Sequence, residues 1–201
     1  NLWMVYGSYS GGIFVIALDE ETGMAEPGQG YGTRLVGGDY RAIEGAYAFY
    51  SPESDYYYLM FSVAGFAVND GYNIRVARSK SPQGPYLDPA GNDIANGEGL
   101  AIGAKLMGGF EYTQEVGDEE PSWGYQAPGH NSAYYDEETG RHLLVTHTRF
   151  PSSSTDFPTI PEAHEVRTHE MFVNKDGWLV ASPQRYVPLD GDNVVAEDDV
   201  M

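Results

Sequence analysis

Glu44 is the residue in this chain best placed to do acid chemistry. It stands among small and apolar neighbours, Ala42-Ile43-Glu44-Gly45-Ala46, at the mouth of the aromatic run Tyr47-Ala48-Phe49-Tyr50. The run has strand character and is cut off by Ser51-Pro52-Glu53-Ser54-Asp55. A carboxyl group held against apolar surface has its charged form disfavoured, which suits a general acid working near neutral pH. The alternative is a glutamate at a strand start, solvated or paired with Arg41 or Arg34. His130 is the second such residue. In Ala127-Pro128-Gly129-His130-Asn131-Ser132 a Pro-Gly turn delivers it just before a strand. There it could bind a metal, polarise a water or cap a turn, or simply bond a backbone carbonyl.

Other chemistries are excluded or weak. Cysteine is absent, so thiol catalysis, disulfides and Cys-zinc sites are ruled out. Neither an HxxxH pair nor an acidic ladder of the EF-hand type occurs. His164 and His169 share a strand but fall on opposite faces at period two, which favours surface or structural roles. There is no GxSxG elbow, and Gly7-Ser8-Tyr9-Ser10-Gly11-Gly12 lacks the lysine of a phosphate loop. Phe66, Trp123 and Tyr125 fall in loops, where aromatic rings could stack on a sugar face.

Composition narrows the partners. Lys and Arg total 11 against 30 Asp and Glu, a formal net charge of −19. Nucleic acid and anionic membrane surfaces are therefore poor partners, because phosphate binding needs positive surface. A neutral ligand such as a sugar is compatible. At 201 residues and 41% hydrophobic content the chain is one domain or part of a larger one. No apolar run approaches the roughly 20 residues of a membrane helix. Asn1-Leu2-Trp3-Met4-Val5-Tyr6 already reads as the interior of a strand, which leads us to expect a portion upstream.

The elements that must position Glu44 and His130 are strands. Sixteen Tyr, 25 Gly and 12 Pro favour strands and tight turns over long helices. Leu2 to Tyr6 and Ile13 to Leu18 form a hairpin closed by an acidic turn. The pattern returns as Tyr56 to Phe61 with Tyr72 to Arg78. It returns again as Ser132 to Tyr135 with Arg141 to His147, followed by Glu165 to Asn174 and Trp178 to Ala181. Turn, aromatic strand, variable loop and alternating strand recur at irregular period. This predicts an all-β fold, a β-propeller ahead of a sandwich or barrel. Residues 1–187 are expected to be propeller blades and 188–201 an acidic tail or linker.

These residues together resemble a known family. LWMVYGSYSGGIF, AIEGAYAFYSPESDYYYLMFSVAGF, YNIRVARSKSPQGPY, APGHNSAYYDEETG and HEVRTHEMFVNKDGW keep, in order, the pattern of family 43 glycoside hydrolases of the endo-α-1,5-L-arabinanase type. They match the C-terminal half of the catalytic domain. The resemblance implies a five-bladed β-propeller that inverts anomeric configuration with three carboxylates: an Asp base, an Asp that orients the acid, and a Glu acid. The IEG motif places the acid at Glu44. The GHN motif places at His130 the histidine near the propeller axis, commonly with a hydrated calcium ion. Phe66 and the turn Ser8-Tyr9-Ser10 become candidate sugar contacts.

No carboxylate in this chain matches either Asp motif. Inversion needs a base on the opposite face of the sugar, with the carboxyls roughly 6.5–9.5 Å apart. The expectation is a missing N-terminal portion, supplied as a second chain after proteolytic processing or as a missing segment. The related alternatives are an exo-arabinanase, an α-L-arabinofuranosidase or a β-xylosidase, or a non-catalytic carbohydrate-binding propeller fragment. A polymeric wall substrate implies an extracellular, secreted protein.

Overall fold

The computed structural model describes residues 1–110, 116–117, 124–150, 163–190 and 193–194. Trp123 and residues 151–162 lie outside them. The described residues fold as three larger antiparallel sheets with sequential strand order and one two-stranded hairpin. The first is β1 (Leu2–Ser8), β2 (Gly12–Leu18) and β3 (Thr33–Val36). The second is β4 (Ile43–Ser51), β5 (Tyr56–Val63), β6 (Asn73–Ser79) and β7 (Ala104–Met107). The third is β8 (Gln126–Asp136), β9 (Arg141–Arg149), β10 (His164–Val173) and β11 (Leu179–Ala181). β4 packs against β1 on one side and β8 on the other. These are successive propeller blades, as the recurring strand pattern predicts.

β5 explains how one sequence run holds two blade interfaces together. Side chains alternate across a strand. Leu59, Phe61 and Val63 therefore enter one apolar cluster with Ile13, Val36 and Ile43, between the first two sheets. Tyr58 and Met60 enter a second cluster with Leu144, Met171 and Leu179, between the second and third. Burying a side chain of this size stabilises by about 1.5–3 kcal/mol. The continuous run Tyr57-Tyr58-Leu59-Met60-Phe61 is what a strand buried on both faces requires.

Polar ties join the second and third blades at the end where β4 finishes. Ser51 Oγ lies 2.8 Å from His142 Nε2, with both side chains buried. Tyr58 donates to the Gly177 carbonyl at 2.6 Å. Arg78 lies 4.4 Å from the Tyr56 ring centre and 4.3 Å from that of Trp178.

The structure extends several predicted elements. The ladder of β4 begins at Ile43 rather than Tyr47, with a bulge between Glu44 and Tyr47. β8 begins at Gln126 and carries two bulges on either side of Gly129. Bulged strands break the apolar alternation that marks a strand, so the sequence shows only their regular ends. β3 and β7 have four residues each and escaped the pattern for that reason. Within the tail, Leu189–Asp190 pairs with Asn193–Val194 as a short hairpin. Among the described residues no helix is long and apolar enough to cross a membrane.

Candidate active site

The bulges of β4 and β8 face each other at one end of the blades. Gly45 has φ +57°, and a Cβ there would lie 3.1 Å from the His130 Cα and 3.3 Å from its Nδ1. Only glycine permits both that backbone and that approach. The bulge therefore turns Glu44 off the regular ladder while letting β8 close on it. His130 also holds a left-handed backbone, φ +50°. For a non-glycine residue this costs of order 1 kcal/mol or more, and such strain gathers at functional sites.

Glu44 is half-buried and pairs across the ladder with Ser62 of β5. Tyr72, just before β6, donates its hydroxyl to Glu44 Oε1 at 2.8 Å. Arg41 does not take that part. Its guanidinium is spent on the carbonyls of Gly37, Gly38 and Gly97 at 2.9, 3.3 and 2.6 Å. The reading of Glu44 as one half of an Arg41 pair is thereby corrected: the acid's partner is a phenol.

Tyr72 is held from several sides. Its ring stacks on His147 at 5.7 Å and 20°. Gly129 lies against its edge so closely that a Cβ would fall 1.9 Å from Cε1. The His130 backbone N–H donates at 2.8 Å to the Oγ of Ser62, the residue that faces Glu44 across the β4–β5 ladder. Burial pushes the phenol well above its ordinary value, so it remains a donor.

His142 of β9 serves the far end of the blades, and the other three histidines of β9 and β10 have separate roles. His147 is pushed down to about 4, first by burial and then by Arg149, His164 and His130 nearby. It is therefore a neutral ring at neutral pH. His164 is exposed, its ring 5.9 Å from that of His147. His169 is buried and its Nδ1–H donates to the carbonyls of Ser182 and Gln184 at 3.1 and 3.0 Å. It is structural.

The histidine burial has a measurable consequence. His147 binds its proton more weakly folded than unfolded, where the value is near 6.5. The unfolded state therefore takes up more protons between about pH 6.5 and 4, and stability falls as pH drops through that window. The stabilisation is fully present above about pH 6.5. Unfolding by denaturant at pH 7 and pH 4.5 should differ by roughly 2–3 kcal/mol more in the native protein than in His147→Gln.

The predicted sugar contacts lie at the same end. Phe66 is 62% exposed, in the loop between β5 and β6. The Arg149 guanidinium carbon lies 5.5 Å from its ring centre. The turn Ser8-Tyr9-Ser10 follows β1, where Gly11 approaches the Gly37-Gly38 segment leading into β4. Tyr9 there meets Tyr40, ring centres 6.3 Å apart, and both are exposed. Tyr125 is committed elsewhere, edge-on to Phe110 and His169. Tyr72, Ser62 and His147 escaped the sequence reading. Their only signal was polar residues at strand ends, and strand pairing is what brings them to Glu44.

For a metal, the described residues hold no group of three or more His, Cys, Asp or Glu placed to bind one. His130 offers an exposed imidazole. Calcium prefers six to eight oxygens, so this donor set alone does not fit it.

The chain was compared with known proteins. No protein-family model matches it. It is 50% identical over 197 residues to the extracellular endo-α-(1→5)-L-arabinanase 2 of Bacillus subtilis, covering 92% of this chain and 40% of that protein. The crystal structure of the endo-1,5-α-L-arabinanase from Thermotoga petrophila superposes with a TM-score of 0.82 at 49% identity, covering 92% of this chain and 40% of that one. A family 43 glycoside hydrolase from Bacillus licheniformis gives 0.77 at 48% identity, covering 92% and 41%. The chain thus spans about two-fifths of the length of the curated relatives it matches.

Proposed function

The chain belongs to the arabinanases of glycoside hydrolase family 43, whose fold is the five-bladed propeller, and from that membership we propose that it carries the general acid of an inverting endo-α-1,5-L-arabinanase. The observation that supports this best is the setting of Glu44. One oxygen is held by Tyr72, and the side chain is half-buried at the blade end that also presents Phe66 and the Tyr9 turn.

Glu44 protonates the oxygen that leaves the anomeric carbon, and the bond's electron pair departs with that oxygen. A water attacks from the opposite face and gives its proton to a base. This chain matches two-fifths of its relatives' length, and the base and orienting carboxylates belong to the remaining three-fifths. That portion is a second chain left by processing or another part of the same polypeptide. Size measurement of the denatured and native enzyme separates the two.

A calcium ion near His130 and secretion complete the proposal. With one imidazole from this chain, the ion would keep most of its coordination as water. Calcium titrated into chelator-treated protein should give a binding isotherm that His130→Ala loses.

The direct test is linear α-1,5-arabinan with the enzyme containing this chain. Mixed oligomers should appear early, and the new reducing ends should be born with inverted configuration by NMR. Release of a single product would make it exo-acting. Retention of arabinan on an affinity gel without new reducing ends would make it a binding propeller. Phe66→Ala should raise KM for arabinan roughly fivefold to twentyfold, since stacking on one exposed ring is worth about 1–2 kcal/mol. An unchanged KM removes Phe66 from the subsites.

A further inference from the structure

Residues 37–40, just before β4, hold four consecutive left-handed backbones, with φ of +79°, +101°, +55° and +58°. Gly37 and Gly38 adopt that region readily, whereas Asp39 and Tyr40 do so at a cost. Strain of this kind persists only where the surroundings impose it. Arg41 imposes it here. Its backbone N–H donates to the Gly38 carbonyl at 3.1 Å, and its guanidinium holds the carbonyls of Gly37, Gly38 and the distant Gly97. What this buttressed turn presents is an aromatic ring. Tyr40 is 78% exposed, and its ring partner Tyr9 is itself 51% exposed. Packing within the described residues therefore returns little for the strain.

The turn stands beside the acid. Tyr40 precedes Glu44 by four residues, so their Cα atoms lie within about 14 Å. The Ala64 N–H donates to the Ala42 carbonyl at 3.0 Å, which joins the end of this turn to the start of the Phe66 loop. The two aromatic groups then diverge. Tyr40 meets Tyr9 of the turn after β1, in the first sheet. Phe66 meets Arg149 at the end of β9, in the third sheet. β4, which carries Glu44, packs between those two sheets through β1 and β8.

We infer that Tyr40, backed by Tyr9, is a specificity-determining residue that stacks on arabinosyl units on the first-blade side of Glu44, opposite Phe66. This rests on the reading of the chain as part of an arabinanase. An aromatic face offers an apolar surface to the C–H face of a furanose without needing charge. A polymer lying on both platforms brings an internal link to Glu44, which is what endo cleavage requires. The left-handed backbone at Tyr40 is the structural outlay that keeps the ring out in solvent, ready for substrate.

Tyr40→Gly separates binding from structure, because glycine adopts φ +58° without strain. In the enzyme containing this chain it should raise KM for linear arabinan roughly fivefold to twentyfold. Its kcat should be nearly unchanged, and its Tm should stay level or rise. Tyr40→Phe should restore the native KM, since the ring face and not the hydroxyl makes the contact. Placed in the Glu44→Gln background, Tyr40→Gly should weaken calorimetric binding of a long arabino-oligosaccharide by the same factor.

An unchanged KM in Tyr40→Gly overturns the assignment. A fall in Tm overturns it too, with or without a change in KM, because the ring is then seated against the rest of the enzyme as a structural group. A loss in Tyr40→Phe as large as in Tyr40→Gly rules out stacking. The two readings fail differently. Native enzyme that leaves arabinan uncleaved sinks the arabinanase reading, and this one with it. Native cleavage with a raised KM in Phe66→Ala but not in Tyr40→Gly removes Tyr40 alone.

Discussion

Glu44→Gln is expected to lower the cleavage of linear arabinan by about 10²–10⁴-fold, the usual worth of a general acid. The amide keeps the shape and accepts the same bond from Tyr72, which donates to Oε1 at 2.8 Å. What it cannot do is release a proton to the leaving oxygen. Binding of arabino-oligosaccharides should therefore persist, measurable by calorimetry. The loss should shrink on substrates with a good leaving group, which depart unprotonated. A Gln variant as active as the native enzyme on arabinan would falsify the role of Glu44. It would leave the carboxylate as a structural partner of Tyr72.

The second large effect is expected from a single methyl group. Gly129→Ala places a Cβ 1.9 Å from Tyr72 Cε1 and 2.3 Å from Cδ1. The ring cannot retreat, because His147 stacks on it and its hydroxyl is tied to Glu44. Either β8 moves or the ring does. Overpacking of this kind costs about 1–3 kcal/mol and sometimes more. We expect about 3 kcal/mol in denaturant unfolding, or a Tm lower by roughly 6–12 °C for a protein of this size. Activity on arabinan should fall at least as far as in Tyr72→Phe, since displacing the ring also releases Oε1. A variant with unchanged Tm and kcat would mean that Tyr72 is not where the structure puts it.

How much of this was legible beforehand differs from residue to residue. The alternation of Leu59, Phe61 and Val63 with Tyr58 and Met60 is readable in the chain, and with it the strand-on-strand architecture. Glu44 stands out as a lone polar group among small and apolar residues, and His130 as the residue that a Pro-Gly turn delivers to a strand. The link between them does not. It depends on the ladder that sets Glu44 opposite Ser62 and on bulges that no periodicity announces. Tyr72 reads as one tyrosine among sixteen. Only the packing of Gly129 and His147 on it shows why that one matters. Arg41, the partner first suggested by proximity in sequence, instead reaches the carbonyl of Gly97, 56 residues away.

The far end of the blades bears on how such a protein can be remodelled. Ser51 with His142, Tyr58 with Gly177 and Arg78 between Tyr56 and Trp178 fasten the second blade to the third. None of these residues belongs to the loops around Glu44. The scaffold is thus riveted at one rim and variable at the other. The loop of residues 64–71 and the turn of residues 8–11 can be exchanged for longer or shorter ones without loosening a rivet. With Phe66 and the Tyr9 turn proposed as sugar contacts, directed evolution confined to those two segments should alter substrate length preference while thermal stability stays level.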